Sequence, residues 1–66
     1  MPVFKIGDLV CDHLGNGVVI DFRMYCDAPD EVGEIAVYYL TGDHKGEVYY
    51  TVRCEWEHIG VISAAE

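Results

Sequence analysis

The chain has 66 residues, of which 52% are hydrophobic, and a formal net charge of −8. A chain of this length forms one domain with a small core, here assigned to residues 1–66. Its 12 acidic residues against 4 basic ones oppose binding to nucleic acid and to anionic membranes, and they favour a protein partner with a basic surface.

The hydrophobic content is high for so short a chain, which indicates apolar surface to spare for a partner or for a homodimer. The three cysteines are Cys11, Cys26 and Cys54. No signal peptide or spanning run is visible, so we expect reduced thiols and a cytoplasmic protein. One disulfide with one free thiol is the alternative.

Two turns shape the first third of the chain. Gly7-Asp8 precedes a first strand at residues 9–12, and the run Leu14-Gly15-Asn16-Gly17 precedes a second at residues 18–25. We expect at least one of Gly15 and Gly17 to have a positive φ angle.

The next stretch, residues 26–33, is predicted to be an acidic loop, since Pro29 cannot donate to a strand ladder. A third strand follows at residues 34–40 and a fourth at residues 47–53, joined by a glycine-bounded turn. The fourth strand alternates, with Val48, Tyr50 and Val52 on one face and Tyr49 and Thr51 on the other.

The chain ends with a brief connection at residues 54–58, predicted as one 3₁₀ turn, and a fifth strand at residues 59–62. Residues 63–66 are predicted to be a frayed tail. Trp56 is predicted to pack over one end of the core, above Val10, Val19, Val37 and Ile59. Five short strands separated by turns indicate an all-β fold, in the form of a small, strongly bent barrel.

The turn and core positions also resemble a known family. The pattern F-x-x-G-D-x-V, L-G-x-G-x-V, V-x-Y and W-x-x-I is carried by Phe4, Gly7, Asp8, Val10, Leu14, Gly15, Gly17, Val19, Val37, Tyr39, Trp56 and Ile59. It is similar to the SH3-like or Tudor-like barrels found in the RNA-polymerase-interacting domain of CarD-type regulators and in the Tudor-like tail of UvrD/PcrA helicases.

This resemblance implies a five-stranded SH3-like (Tudor-like) barrel that binds a protein by adding strands edge to edge. It favours the transcription apparatus as partner. The chain departs from the family in its acidity and in lacking a second domain, and by analogy it looks like a small phage-type accessory or inhibitor protein.

Two groups of residues are candidates for the binding surface. One is the acidic loop, which steers a basic partner, and the other is a set of tyrosines that anchor it. The candidates are Tyr25, Asp27, Asp30, Glu31, Glu34, Tyr38 and Tyr49. We expect Tyr38 and Tyr49 to lie on comparable faces of adjacent strands as a cross-strand pair. An aromatic cage built from Tyr25, Tyr38, Tyr49 and Tyr50 is the alternative.

Other chemistry has weaker support. A zinc site is one hypothesis, with the ligands Cys11, His13, Cys54 and His58, but neither pair has the Cys-x-x-Cys spacing of a zinc knuckle. We prefer the interpretation that the cysteines are buried and the histidines are at the surface. The acidic loop has Pro29 where a calcium loop needs alternating oxygen ligands. No phosphate loop or activated nucleophile is present, so we expect no enzyme and no cofactor.

The sequence therefore predicts a small acidic protein-interaction module. Three alternatives remain at this point: a DNA mimic that blocks a DNA-binding protein, a structural subunit that self-assembles, and a nucleic-acid-binding barrel. The net charge argues against the last of these.

Overall fold

The computed structural model describes residues 4–24 and 32–65. They form a five-stranded antiparallel sheet with the strand order β4-β3-β2-β1-β5. The strands are β1 Leu9–Asp12, β2 Gly15–Met24, β3 Val32–Tyr39, β4 Val48–Val52 and β5 Gly60–Ser63, and a 3₁₀ helix, Arg53–His58, connects β4 to β5. The all-β prediction is confirmed, whereas closure of the sheet into a barrel stays a prediction, because β4 and β5 lie at opposite edges of the described sheet.

The first hairpin differs from the predicted turn. β1 and β2 are joined by His13 and Leu14 alone, and Asp12 pairs with Gly15. Gly15 has a φ of 131°, which confirms the expectation of a positive φ angle at one of the two glycines. Gly17 was wrongly placed in the turn, since it lies inside β2 opposite Val10 and Tyr39.

Gly17 is required in β2 by close packing. A Cβ atom built there would lie 2.5 Å from Val37 Cγ1 and 2.9 Å from the carbonyl oxygen of Tyr38. The strands approach each other too closely at this point for any larger residue. Two residues further along, the register shifts between Val19 and Asp21, and the bulge leaves Ile20 exposed.

The core lies on one face of the sheet, where β3 contributes every second residue. Ile35, Val37 and Tyr39 are buried, as their alternation predicts. The core cluster consists of Phe4, Val10, Val19, Ile35, Val37, Tyr39, Trp56 and Ile59. All five residues of the predicted Trp56 cluster are members, so that prediction is confirmed.

Trp56 closes the core from the 3₁₀ helix. Its ring meets Phe4 edge to face, with a centroid distance of 5.5 Å, and its indole N–H donates to the carbonyl of Thr51 at 3.0 Å. The buried ring therefore has its one polar group satisfied. This contact fixes the helix against the end of β4.

The last strand and the residues after it are more ordered than predicted. β5 extends to Ser63 and pairs with β1, and Leu9 lies opposite Ser63. The backbone N–H of Ala65 donates to the buried carboxylate of Asp8 at 2.6 Å. The prediction of a frayed tail is therefore wrong for residues 63–65.

Candidate protein-interaction surface

Four apolar side chains are exposed together on the face of the sheet opposite the core. Tyr38 of β3 pairs with Val48 of β4, and Tyr50 and Val52 follow on the same side of β4. We call these four residues, Tyr38, Val48, Tyr50 and Val52, the outer patch. Each side chain is about two-fifths exposed, at 38%, 44%, 43% and 44% respectively. An apolar group of this kind at a sheet edge is typical of an interaction surface.

The ring of Tyr50 is held by a neighbouring arginine. The guanidinium carbon of Arg23 lies 3.9 Å from the ring centroid of Tyr50, and an Arg23 nitrogen lies 3.7 Å from a carboxylate oxygen of Glu34. Both interactions are at the surface and each is weak. The contact with Arg23 orients the ring of Tyr50, and the carboxylate of Glu34 offsets the positive charge of Arg23 beside the outer patch.

The predicted site residues do not form one surface. Tyr38 belongs to the outer patch, and Glu34 lies beside it through its ion pair with Arg23. Tyr49 faces the core side, because it pairs with Val37 while Tyr38 pairs with Val48. The predicted cross-strand pair of Tyr38 and Tyr49 is therefore wrong, since consecutive register positions point to opposite faces.

The same register argues against the aromatic cage predicted from Tyr25, Tyr38, Tyr49 and Tyr50. Tyr38 and Tyr50 lie on the outer face and Tyr49 on the core face, so these three rings do not converge on one point. The other predicted members of the binding surface, Tyr25, Asp27, Asp30 and Glu31, lie outside the described residues.

Tyr49 instead belongs to a small polar group at the end of the β3–β4 hairpin. Its hydroxyl lies 2.8 Å from Nδ1 of His44, and the two rings are 4.6 Å apart between centroids. The same His44 nitrogen lies 3.4 Å from a carboxylate oxygen of Glu47. Tyr49 also meets the ring of Tyr39 edge to face at 6.0 Å, so its role here is to hold the hairpin to the core.

A groove of about 350 Å³ runs along β4, and residues of both faces of this strand line it, Tyr49 and Thr51 as well as Tyr50 and Val52. It lies between the first hairpin, β4 and the 3₁₀ helix, and Asp12, Tyr39, Tyr49 and Glu55 are among its lining residues. The hydroxyl of Tyr39 donates to Asp12 at 2.6 Å. Burial, followed by the adjacent Asp12 carboxylate, raises the pKa of Tyr39 well above its ordinary value of 10.0. The Tyr39 phenol is thus a neutral donor.

The second oxygen of Asp12 is also used, since it accepts the N–H of Leu14 at 2.8 Å. One carboxylate therefore closes the first hairpin and anchors β3 to it. The polar groups at this wall of the groove already satisfy one another, so the groove offers fewer free donors and acceptors than its residue types indicate.

The zinc alternative does not assemble. Cys11, His13, Cys54 and His58 are all described, and within the described ranges no three His, Cys, Asp or Glu side chains lie together as a group that could hold a metal ion. Cys11 is half-buried and Cys54 is exposed. The pairing of the first and last strands, on which this hypothesis depended, is present.

Comparison of the chain with protein-family models, with curated proteins and with solved structures finds no match. Within residues 4–24 and 32–65, no helix is both long enough and apolar enough to cross a membrane.

Alternation placed Val48, Tyr50 and Val52 on one face of the predicted fourth strand, but the predicted binding surface did not include this set. The signal was present, because these residues alternate with Tyr49 and Thr51 in a strand without a charged residue. Two-residue periodicity assigns them to one face of β4, and only the register with β3 shows that Tyr38 joins them there.

Proposed function

We propose that this protein is an acidic protein-interaction module built as an SH3-like barrel, and that the outer patch is its docking surface. The observation that carries the proposal is the exposed apolar outer patch at an edge strand of a chain with a net charge of −8. A partner with an apolar centre and a basic rim fits this combination. The apolar contact supplies affinity, and the charges accelerate encounter.

The partner class is proposed from the resemblance to CarD-type and UvrD/PcrA barrels. That resemblance favours a component of the transcription apparatus, bound in the cytoplasm, with the chain acting as an accessory or inhibitor. The proposal includes no catalytic step and no cofactor. It also excludes nucleic acid as the ligand, because an excess of acidic groups repels phosphates.

A quantitative capture experiment tests the docking surface. The tagged chain, a Tyr38→Ala/Tyr50→Ala variant and an Ile62→Ala variant are compared as baits in bacterial lysate, and captured proteins are counted by mass spectrometry. Ile62 is the matched control, since it is an exposed apolar residue on β5 at the other sheet edge. We expect the specific partner to be lost with the tyrosine variant and kept with Ile62→Ala.

Salt distinguishes this proposal from DNA mimicry. Docking through an apolar patch and backbone hydrogen bonds weakens only modestly as ionic strength rises, whereas phosphate mimicry depends on charge alone. Partner capture that survives high salt and needs the tyrosines supports the proposal. Capture that disappears with salt and ignores the tyrosine variant contradicts it.

A further inference from the structure

The outer edge of β4 lacks three of the features that protect edge strands in natural proteins. Natural edges carry charges, prolines or bulges that discourage pairing with another chain. β4 reads Val-Tyr-Tyr-Thr-Val and pairs with β3 in an unbroken register, with none of these three features. Among the described strands, β4 pairs with β3 alone.

The backbone of β4 presents alternate residues to this edge. At the start of the β3–β4 ladder, Tyr39 donates to the carbonyl of Glu47 at 3.0 Å and accepts from the N–H of Gly46 at 2.8 Å. By alternation, Val37 and its partner Tyr49 also face each other within the ladder. The backbone groups of Val48, Tyr50 and Val52 therefore point away from β3.

Two copies of β4 are complementary to each other when they run antiparallel with Tyr50 at the centre. Placing Tyr50 opposite the Tyr50 of a second copy, in an antiparallel pair, brings Val48 opposite Val52 and Tyr49 opposite Thr51. The flanking residues then also match, because Glu47 lies opposite Arg53 of the second copy, and no like charges face each other. In this register the three residues whose backbone groups point away from β3 face the same three residues of the second copy, and their N–H and C=O groups can pair.

We propose that two copies of this chain associate through β4, antiparallel and in the register centred on Tyr50. The pairing continues the sheet across a two-fold axis, which makes a self-complementary interface. It also brings two outer patches side by side on one face. The dimer and the proposed partner would use the same edge of β4 and so compete for it, and sedimentation of the pure chain tests the dimer without the partner.

The net charge of the chain sets how the association depends on salt. Each copy carries a formal charge of −8, so two copies repel each other at long range. Added salt screens this repulsion while the apolar and backbone contacts remain. Self-association should therefore strengthen with salt, in contrast to the binding of a basic partner.

Sedimentation velocity over a concentration series, at low and at high salt, tests the association. We expect the mass to rise with concentration from 7.4 kDa towards twice that value, at lower concentration when salt is high. A monomer mass at every concentration and salt overturns the inference. Tryptophan fluorescence of Trp56 confirms that each variant below is folded.

Charge variants test the register. In Val48→Lys/Val52→Lys, and in Val48→Glu/Val52→Glu, like charges face each other across the interface, and we expect association at least about tenfold weaker. Mixing the two variants, or using Val48→Lys/Val52→Glu alone, places opposite charges across the same positions and should restore the dimer. Ile62→Lys on β5 should have no effect. A dimer that persists in both like-charge variants, or that is lost in Ile62→Lys, overturns the β4 interface.

Discussion

The carboxylate of Asp8 accepts the backbone N–H of Ala65, 57 residues further along the chain, at 2.6 Å. It also accepts the N–H of Lys5 at 2.9 Å, and its side chain is only 2% exposed. One buried carboxylate thus joins the turn before β1 to the segment after β5. These two segments flank the β1–β5 edge of the sheet, whereas the outer patch includes the β4 edge.

This contact predicts acid sensitivity. The hydrogen bond from Ala65, then that from Lys5, lower the pKa of Asp8 below its ordinary value of 3.8, against the opposing effect of burial. A carboxylate with a lowered folded-state pKa stabilises the fold above the ordinary pKa, and this stabilisation is lost as the pH falls through the lowered value. We expect the melting temperature to hold above about pH 4 and to fall below it.

Asp8→Asn isolates this contribution. An amide presents an NH₂ group to one of the two backbone N–H donors, so we expect a lower melting temperature at pH 7 and a flatter acid limb. Asp43→Asn, at an exposed turn position, is the control and should follow the wild-type curve. Identical acid limbs for Asp8→Asn and the wild type would show that Asp8 is not the group responsible.

Tyr39 should make the stability of the fold decrease at high pH, whereas Asp8 makes it decrease at low pH. Its raised pKa keeps the buried phenol protonated in the folded state, so its stabilising effect is complete below the ordinary value of 10.0 and is lost as the pH rises further. Tyr39→Phe removes the hydrogen bond to Asp12 and should lower the free energy of unfolding by about 1–2 kcal/mol at pH 7. Urea denaturation from pH 7 to 11 measures both effects.

The tyrosine control is Tyr50→Phe, which removes a hydroxyl from an exposed ring. We expect the wild type and Tyr50→Phe to lose stability above about pH 10, while Tyr39→Phe loses less over the same range. Equal alkaline losses in all three proteins would contradict the assignment to Tyr39.

Substitutions of the two glycines of β2, Gly15 and Gly17, should lower the stability for different reasons. Gly15 combines a φ of 131° with a built Cβ only 2.6 Å from the carbonyl oxygen of Thr41, so Gly15→Val should destabilise by roughly 1–3 kcal/mol or more. Gly17→Ala should destabilise through steric contact with Val37 and with the carbonyl oxygen of Tyr38, without the added cost of a positive φ angle. The control is Gly46→Ala, where φ is 85° but no atom lies within 4 Å of the built Cβ.

Thermal unfolding of these three variants checks the argument. We expect Gly46→Ala to show only the backbone cost of a positive φ angle, about 1–2 kcal/mol. Unchanged stability in both Gly15→Val and Gly17→Ala would mean that the β2 backbone does not run as described.

Truncation of Trp56 should cause the largest loss of stability among these variants. Its truncation to alanine removes the ring that meets Phe4 and the hydrogen bond to Thr51, and should cost about 3–5 kcal/mol. That is enough to unfold a domain of this size. Trp56→Ala removes the single tryptophan and with it the fluorescence signal, so amide chemical-shift dispersion is the measurement. Trp56→Phe should remain folded, and a well-dispersed Trp56→Ala spectrum would place the ring outside the core.

The sequence predicted the strands well because each carries its own two-residue alternation. β1 was predicted at its observed bounds, and the buried set Ile35, Val37 and Tyr39 follows directly from spacing. β2 begins three residues before its predicted start, at Gly15 rather than Val18, because the positive φ of Gly15 allows a turn of two residues. A residue pattern alone does not distinguish that turn from a longer one.

The candidate site was harder to predict because it depends on register. Alternation fixes which residues of β4 share a face, but not which face of β3 they join. That choice is made by the hairpin connection, where Tyr39 bonds to both Gly46 and Glu47. A shift of one residue there would have placed Tyr49 beside Tyr38, as predicted from the sequence.

The central claim is that the outer patch binds a protein partner, and its most direct test is binding kinetics on immobilised core RNA polymerase. Surface plasmon resonance compares the wild type with Tyr38→Ala, Tyr50→Ala and the control Ile62→Ala. We predict that the wild type and Ile62→Ala bind with equal rates, and that each tyrosine variant dissociates about tenfold faster or more, as expected for an anchor worth over 1 kcal/mol. Dissociation of both tyrosine variants at the wild-type rate would contradict the docking surface, and absence of wild-type binding would contradict the proposed partner.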